Sequence, residues 1–189
     1  FVSLGGYVVV LEQDDMPMGW LSVKVDTDSV DTARSVTMVQ KIADKHYILE
    51  GVSNEELRYW RGDHYVVKRN YIKPTKGNFR PLVGYGNGGV LLCEYTGLLE
   101  LPYGKGSFLI SQMLLVEKFG KEPVSAKILA NILNYSNKIS IANEKAGLIM
   151  SDSKEGGKFD EYMKLLNVDS RRINLLENIN FGEYSRIIL

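Results

Sequence analysis

The sequence predicts an α/β fold built on a mostly parallel sheet with flanking helices. Three observations point there. Residues 7–11 (Tyr-Val-Val-Val-Leu) are a continuous apolar run bounded by glycine and polar residues, as a strand buried on both faces is, and residues 90–95 and 108–115 read as further strands. Residues 122–136 form an amphipathic helical pattern directly after the third strand, and residues 146–189 repeat a strand, helix, strand order.

The elements follow in chain order. Phe1-Val-Ser-Leu-Gly-Gly6 reads as a helical turn closed by glycine, leading into the first strand. Residues 14–32 are turn-rich. Ser53 with Glu56 three residues on is a capping box, so a helix is expected over residues 54–60. Residues 64–69 alternate as a strand does, whereas the prolines and glycines of 70–89 predict a long surface excursion. A tight turn at 102–106 precedes the 108–115 strand. In the following helix Pro123 occupies the first turn, where a missing N–H costs nothing, and Val124, Ile128, Leu129, Ile132 and Tyr135 form one stripe. Residues 137–145 read as a linker. Beyond them 146–150, 173–176 and 186–189 are expected strands, with a helix marked by Phe159, Tyr162, Met163 and Leu166.

Composition narrows the function classes. The chain has 189 residues, is 44% hydrophobic, and carries 23 basic and 23 acidic side chains. It can bury a sizeable core, and its zero formal charge offers no basic face for nucleic acid or an anionic membrane. No apolar run reaches the 18 or so residues of a membrane span. The single Cys93 excludes an intrachain disulfide, which is compatible with either a reducing or an oxidising compartment and leaves localisation open.

The segments Tyr103-Gly-Lys-Gly-Ser-Phe-Leu-Ile-Ser-Gln112, Glu122-Pro-Val-Ser-Ala-Lys-Ile-Leu-Ala-Asn-Ile-Leu-Asn-Tyr135, Gly5-Gly6-Tyr-Val-Val-Val-Leu-Glu-Gln13 and His46-Tyr-Ile-Leu-Glu-Gly-Val-Ser-Asn-Glu-Glu-Leu-Arg-Tyr-Trp-Arg-Gly-Asp63 carry a family resemblance. Together they resemble the glutamine-amidotransferase-like, flavodoxin-like accessory domains of large bacterial glycoside hydrolases of the family 2 or family 42 β-galactosidase type. The resemblance covers residues 1–136. It implies a flavodoxin-like fold, a parent polypeptide whose catalytic carboxylates lie in a separate barrel domain, and a non-catalytic role here. On this reading residues 1–136 are the C-terminal part of one such domain and 146–189 the opening strands and helix of a second, completing the first sheet within one chain or by a strand swap in a homodimer. The chain is then a fragment of a longer polypeptide.

Gly84-Tyr-Gly86-Asn-Gly-Gly89 has the letters of a dinucleotide fingerprint but precedes a strand, which favours a turn. Asp152-Ser-Lys-Glu-Gly-Gly157 lacks the Lys-Ser/Thr ending of a phosphate loop. Cys93 sits inside an apolar run rather than on a strand-to-helix elbow, so it reads as a core residue, and His46 as a turn residue before a buried strand. Trp60, Arg61, Asp63 and His64 form the densest aromatic and polar cluster and are the candidates for sugar or interface contact; the alternative is a buried Trp60 with an Arg–Asp pair fixing the turn. Neither Asp14-Asp15, Glu55-Glu56, Glu94 nor Glu100 is singled out as a glycosidase pair. No catalytic, cofactor-binding or metal-ligating set is expected. The expected partners are the rest of the parent polypeptide and a carbohydrate. The competing readings are a carbohydrate-binding module, which needs an exposed Trp60, Tyr85 or Trp20, and an active amidotransferase-like hydrolase using Cys93.

Overall fold

A computed structural model describes residues 1–14, 18–28, 36–86, 94–138, 146–148, 161, 170–172 and 186–188. A 3-10 turn at Val2–Leu4 closes on Gly5 in the left-handed region, φ 117°. It is followed by β1 (Tyr7–Val10), β2 (Asp26–Thr27), β3 (Gln40–Lys41), β4 (Tyr71–Ile72), β5 (Arg80–Tyr85), β6 (Tyr95–Tyr103) and β7 (Gly106–Ser111). Then come α1 (Pro123–Lys138), β8 (Ala146–Leu148), β9 (Ser170–Arg172) and β10 (Arg186–Ile188).

These strands make one mixed, curled sheet in the order β2-β4-β6-β7-β1-β10-β8-β9, with β5 pairing β6 and β3 pairing β5. The flavodoxin-like expectation is corrected here. Every pair from β2 to β7 apart from β1–β7 is antiparallel, and only β7-β1-β10-β8-β9 runs parallel. Among the described residues α1 is the single multi-turn helix, so helices do not flank the sheet as that fold requires.

The physical reason for the difference lies in the second core layer. Tyr7, Val9, Leu11, Leu98, Leu109 and Met113 pack with α1, while Val8, Val10, Leu99, Leu101, Phe108 and Ile110 pack on the opposite face with Val2, Val23, Val25 and Tyr71. Irregular chain supplies that second cover. Apolar runs report burial on both faces, and here burial is the same whether neighbouring strands run parallel or antiparallel. Direction is decided by the turn Tyr103-Gly-Lys-Gly106, a two-residue hairpin in which Gly104 has φ 61° at the first central position, as a type II′ turn requires.

Three local expectations are also corrected. The Ser53–Glu56 capping box is made, with Ser53 N–H donating to Glu56 Oε2 at 2.7 Å and Glu56 N–H to Ser53 Oγ at 3.2 Å, but no helix grows from it. The following backbone is taken by cross-strand contacts, Leu57 C=O accepting from Val39 N–H and Arg58 bridging Met38. Of the expected excursion over 70–89, the described residues 70–86 do not run over the surface, and 87–89 lie outside the described residues. Residues 70–86 supply β4 and β5, whose Tyr71, Leu82, Val83 and Tyr85 are core residues. The last strand pair uses Ser170–Arg172, whereas the 173–176 run and the 159–166 helix lie outside the described residues apart from a helical, exposed Glu161. Residues 64–69 contribute isolated bridges only, through His64 and Val67.

The helix α1 lies on the first core layer with Val124, Ile128, Leu129, Ile132 and Leu133 all buried. At roughly 1.5–3 kcal/mol per fully buried aliphatic side chain, this stripe and not intrinsic propensity holds the helix in place. Strand β10 pairs in parallel with β1 through Tyr7↔Arg186 to Val9↔Ile188.

Candidate functional site

The turn 59–64 displays the expected candidates in two directions. Trp60 is 0% exposed, and its indole N–H donates to Glu56 C=O at 2.9 Å. No ring face is left for a sugar. Asp63 Oδ1 accepts from the buried Lys118 Nζ at 2.6 Å and from Tyr65 N–H at 2.9 Å. Burial of Asp63 works against ionisation, but these bonds and the Lys118 charge hold its carboxyl below the usual range. Arg61 is anchored through its backbone N–H to Glu122 Oε2 at 3.2 Å and leaves its side chain exposed. His64 is exposed, has φ 68°, and meets the exposed Tyr59 (φ 49°) edge to face at 6.4 Å. Trp60 and Asp63 therefore hold the turn, and the four candidates do not converge on one surface. Tyr85 is buried as well, and Trp20, 41% exposed, stands edge-on to Phe108.

Sequence reasoning missed the main polar centre, which lies under α1. Glu100 projects from β6 on the α1 face, 3% exposed. Its Oε2 accepts from Arg80 Nη1 at 3.2 Å and stands 3.4 Å from His46 Nε2; its Oε1 accepts from the Tyr135 hydroxyl at 3.0 Å. His46 Nδ1 accepts the Ile48 backbone N–H at 3.3 Å, capping the turn Tyr47–Leu49. That bond places the ring proton on Nε2, facing Glu100, although its line is not that of a good hydrogen bond. Tyr135 packs against His46, Tyr47 and Tyr7 with centroids 4.9, 6.3 and 5.5 Å away.

The electrostatics follow from this enclosure. Desolvation raises the Glu100 pKa, but His46, the Tyr135 hydroxyl and the Arg80 guanidinium outweigh it and leave the carboxyl below its ordinary value. The same carboxylate, after burial, keeps the Tyr7 and Tyr135 phenols well above theirs. The signal available in the sequence was a carboxylate inside the apolar run Leu98-Leu-Glu-Leu101, which is seldom buried without partners. The partners are 20 to 54 positions away along the chain, and nothing local announces them.

Chemically this centre is a closed set. Both ring nitrogens of His46 and both oxygens of Glu100 face protein groups, and both side chains are nearly inaccessible. A His–Glu pair could orient a nucleophile only through the ring nitrogen that here caps Ile48. Cys93 and residues 87–89 of the 84–89 glycine motif, as well as residues 152–157, lie outside the described residues. Among the described residues no group of three or more His, Cys, Asp or Glu side chains is placed to hold a metal ion, and no helix is long and apolar enough to cross a membrane. Comparison with family models, with curated proteins and with solved structures returns no match for this chain.

Proposed function

We propose that the chain is a non-catalytic accessory domain of a bacterial glycoside hydrolase, working as a structural part of a longer carbohydrate-degrading enzyme. The observation that carries the non-catalytic part is the His46–Glu100 centre. The pair best suited to acid–base chemistry is enclosed under α1, and its polar atoms hold a helix, a turn and two strands together. The hydrolase part rests on the resemblance of residues 1–136, above all the Gly-Lys-Gly turn, the Ser111-Gln112 strand end and the Glu122-Pro helix start.

The experiment is to assay the chain alone and the longer polypeptide containing it against aryl glycosides and against glutamine. Glycoside turnover by the longer polypeptide, with none by the chain alone, supports the reading. Glutamine hydrolysis by the chain, or a parent inert to every glycoside, removes it.

A further inference from the structure

Strands β1 and β7 run parallel and end together, with Val10 opposite Ile110. By strand alternation, the residues that follow Val8 and Val10 and Phe108 and Ile110 on the face away from α1 are Glu12 and Gln112. Tyr71 of β4 belongs to that same layer. Each carries a buried oxygen without a hydrogen-bond partner among the described residues: Glu12 Oε2, Gln112 Oε1 and the Tyr71 hydroxyl.

The free ends are set by specific bonds. Glu12 Oε1 accepts from the backbone N–H groups of Val116 at 2.7 Å and Glu117 at 3.1 Å, leaving Oε2 as the open oxygen. Gln112 Nε2 donates to Gln13 C=O at 3.1 Å, which turns the amide oxygen the other way. Tyr71 and Gln112 are almost wholly buried, the Gln112 amide adjoins the Tyr71 hydroxyl, and the Glu12 charge acts on that phenol. Although Glu12 as a residue is half-buried, its Oε2 is enclosed.

Counting donors and acceptors shows a deficit. With Glu12 ionised, the carboxylate and amide oxygens only accept, and the single phenol proton can serve one of them. Leaving a buried oxygen unpaired is costly, so something that offers positive charge or donors belongs between them. All three are hard oxygen ligands and their total charge is one negative. A monovalent ion leaves this interior neutral, whereas a divalent ion would bury an uncompensated positive charge.

We propose that Glu12 Oε2, Gln112 Oε1 and the Tyr71 hydroxyl form a binding site for a monovalent alkali cation at the C-terminal end of the β1–β7 pair. Water would complete the coordination. Of the other charged groups near Glu12, Glu117 adds negative potential, and Asp14 is paired with Lys68 at 3.0 Å. By joining β1, β4 and β7 at one point, the ion would stabilise the sheet independently of any catalytic parent.

The test is thermal unfolding of the chain at pH 8 in N-methyl-D-glucamine chloride, with sodium or potassium chloride substituted at constant chloride concentration. A saturable rise in Tm of about 2–4 °C with one alkali ion is expected. Glu12→Gln, which retains the Oε1 acceptor, should abolish that rise, and Tyr71→Phe should weaken the apparent affinity about tenfold or more. Equal midpoints in all three salts would overturn the proposal, as would an undiminished rise in both variants. A larger, saturable shift with magnesium or calcium chloride would overturn the monovalent assignment.

Discussion

The Tyr135 hydroxyl on α1 donates a 3.0 Å hydrogen bond to Glu100 Oε1 on β6, so α1 is fastened to the sheet by a polar contact inside an otherwise apolar interface. The bond also supplies one of the charge-assisted partners that keep a buried carboxylate ionised. Tyr135→Phe should lower stability by about 1–2 kcal/mol while leaving the aromatic packing on His46 and Tyr7 in place. Urea unfolding with an unchanged m-value is the check; a loss below a few tenths of a kcal/mol would mean the bond is not formed.

Two carboxylates should give opposite pH signatures. Burial, opposed by its backbone hydrogen bonds, raises Glu12 from 4.5 to about 7. The folded state therefore keeps a proton that the unfolded state releases, and stability falls as pH rises from about 4.5 to about 7, with no differential effect below that window. Glu12→Gln should stabilise the protein at pH 8 in N-methyl-D-glucamine chloride by up to about 3 kcal/mol and have little effect at pH 4. Glu100 runs the other way. Its lowered pKa contributes stability that is fully present above the ordinary carboxylate range and lost as pH falls through the folded-state value. Unfolding curves of Glu12→Gln and Glu100→Gln across pH 3–9 separate the two.

Trp60 should behave as a core residue. In a Trp20→Phe background its emission should be blue-shifted, resistant to acrylamide and indifferent to added oligosaccharides, because its faces are covered and its N–H is bonded to Glu56. Trp60→Ala should cost about 3–5 kcal/mol. Sugar-dependent quenching of Trp60 would restore it as a contact residue.

Packing at the two ends of the core can be probed separately. Ile128→Ala, at the centre of the α1 stripe, should cost about 2–4 kcal/mol. At Gly106 an added Cβ would run into the carbonyl oxygens of Gly6 and Val2, which are backbone and cannot swing aside. Gly106→Ala should therefore displace the N-terminal turn. Thermal melts together with amide exchange at residues 2–7 would register the two effects.

The legible parts of this fold were those specified by neighbours in sequence. Strands β1 and β7, the 102–106 turn and α1 each carry their own signal in apolar runs, a glycine at a left-handed position and proline at a helix start. Strand β5 was hidden because Pro81 and Gly84 argue against a strand; they are tolerated beside β-bulges between Pro81 and Val83 and between Val83 and Tyr85. The capping box at Ser53 specified its two hydrogen bonds but not a helix, since the next residues were claimed by Met38 and Val39. At the candidate site Trp60 and Asp63 could be recognised as a cluster, but Lys118, the residue that makes Asp63 structural, lies 55 positions away. His46 and Glu100 are likewise paired only by the tertiary fold.

The most direct test of the non-catalytic reading is kcat/KM for glycoside hydrolysis, normalised to folded protein, in the longer polypeptide carrying His46→Asn. Asparagine preserves a cap for the Ile48 N–H but removes the imidazole beside Glu100. The account predicts kcat/KM within about twofold of the parent; a loss of about 10²-fold or more in a fully folded variant, the scale of a missing acid or base, would contradict it.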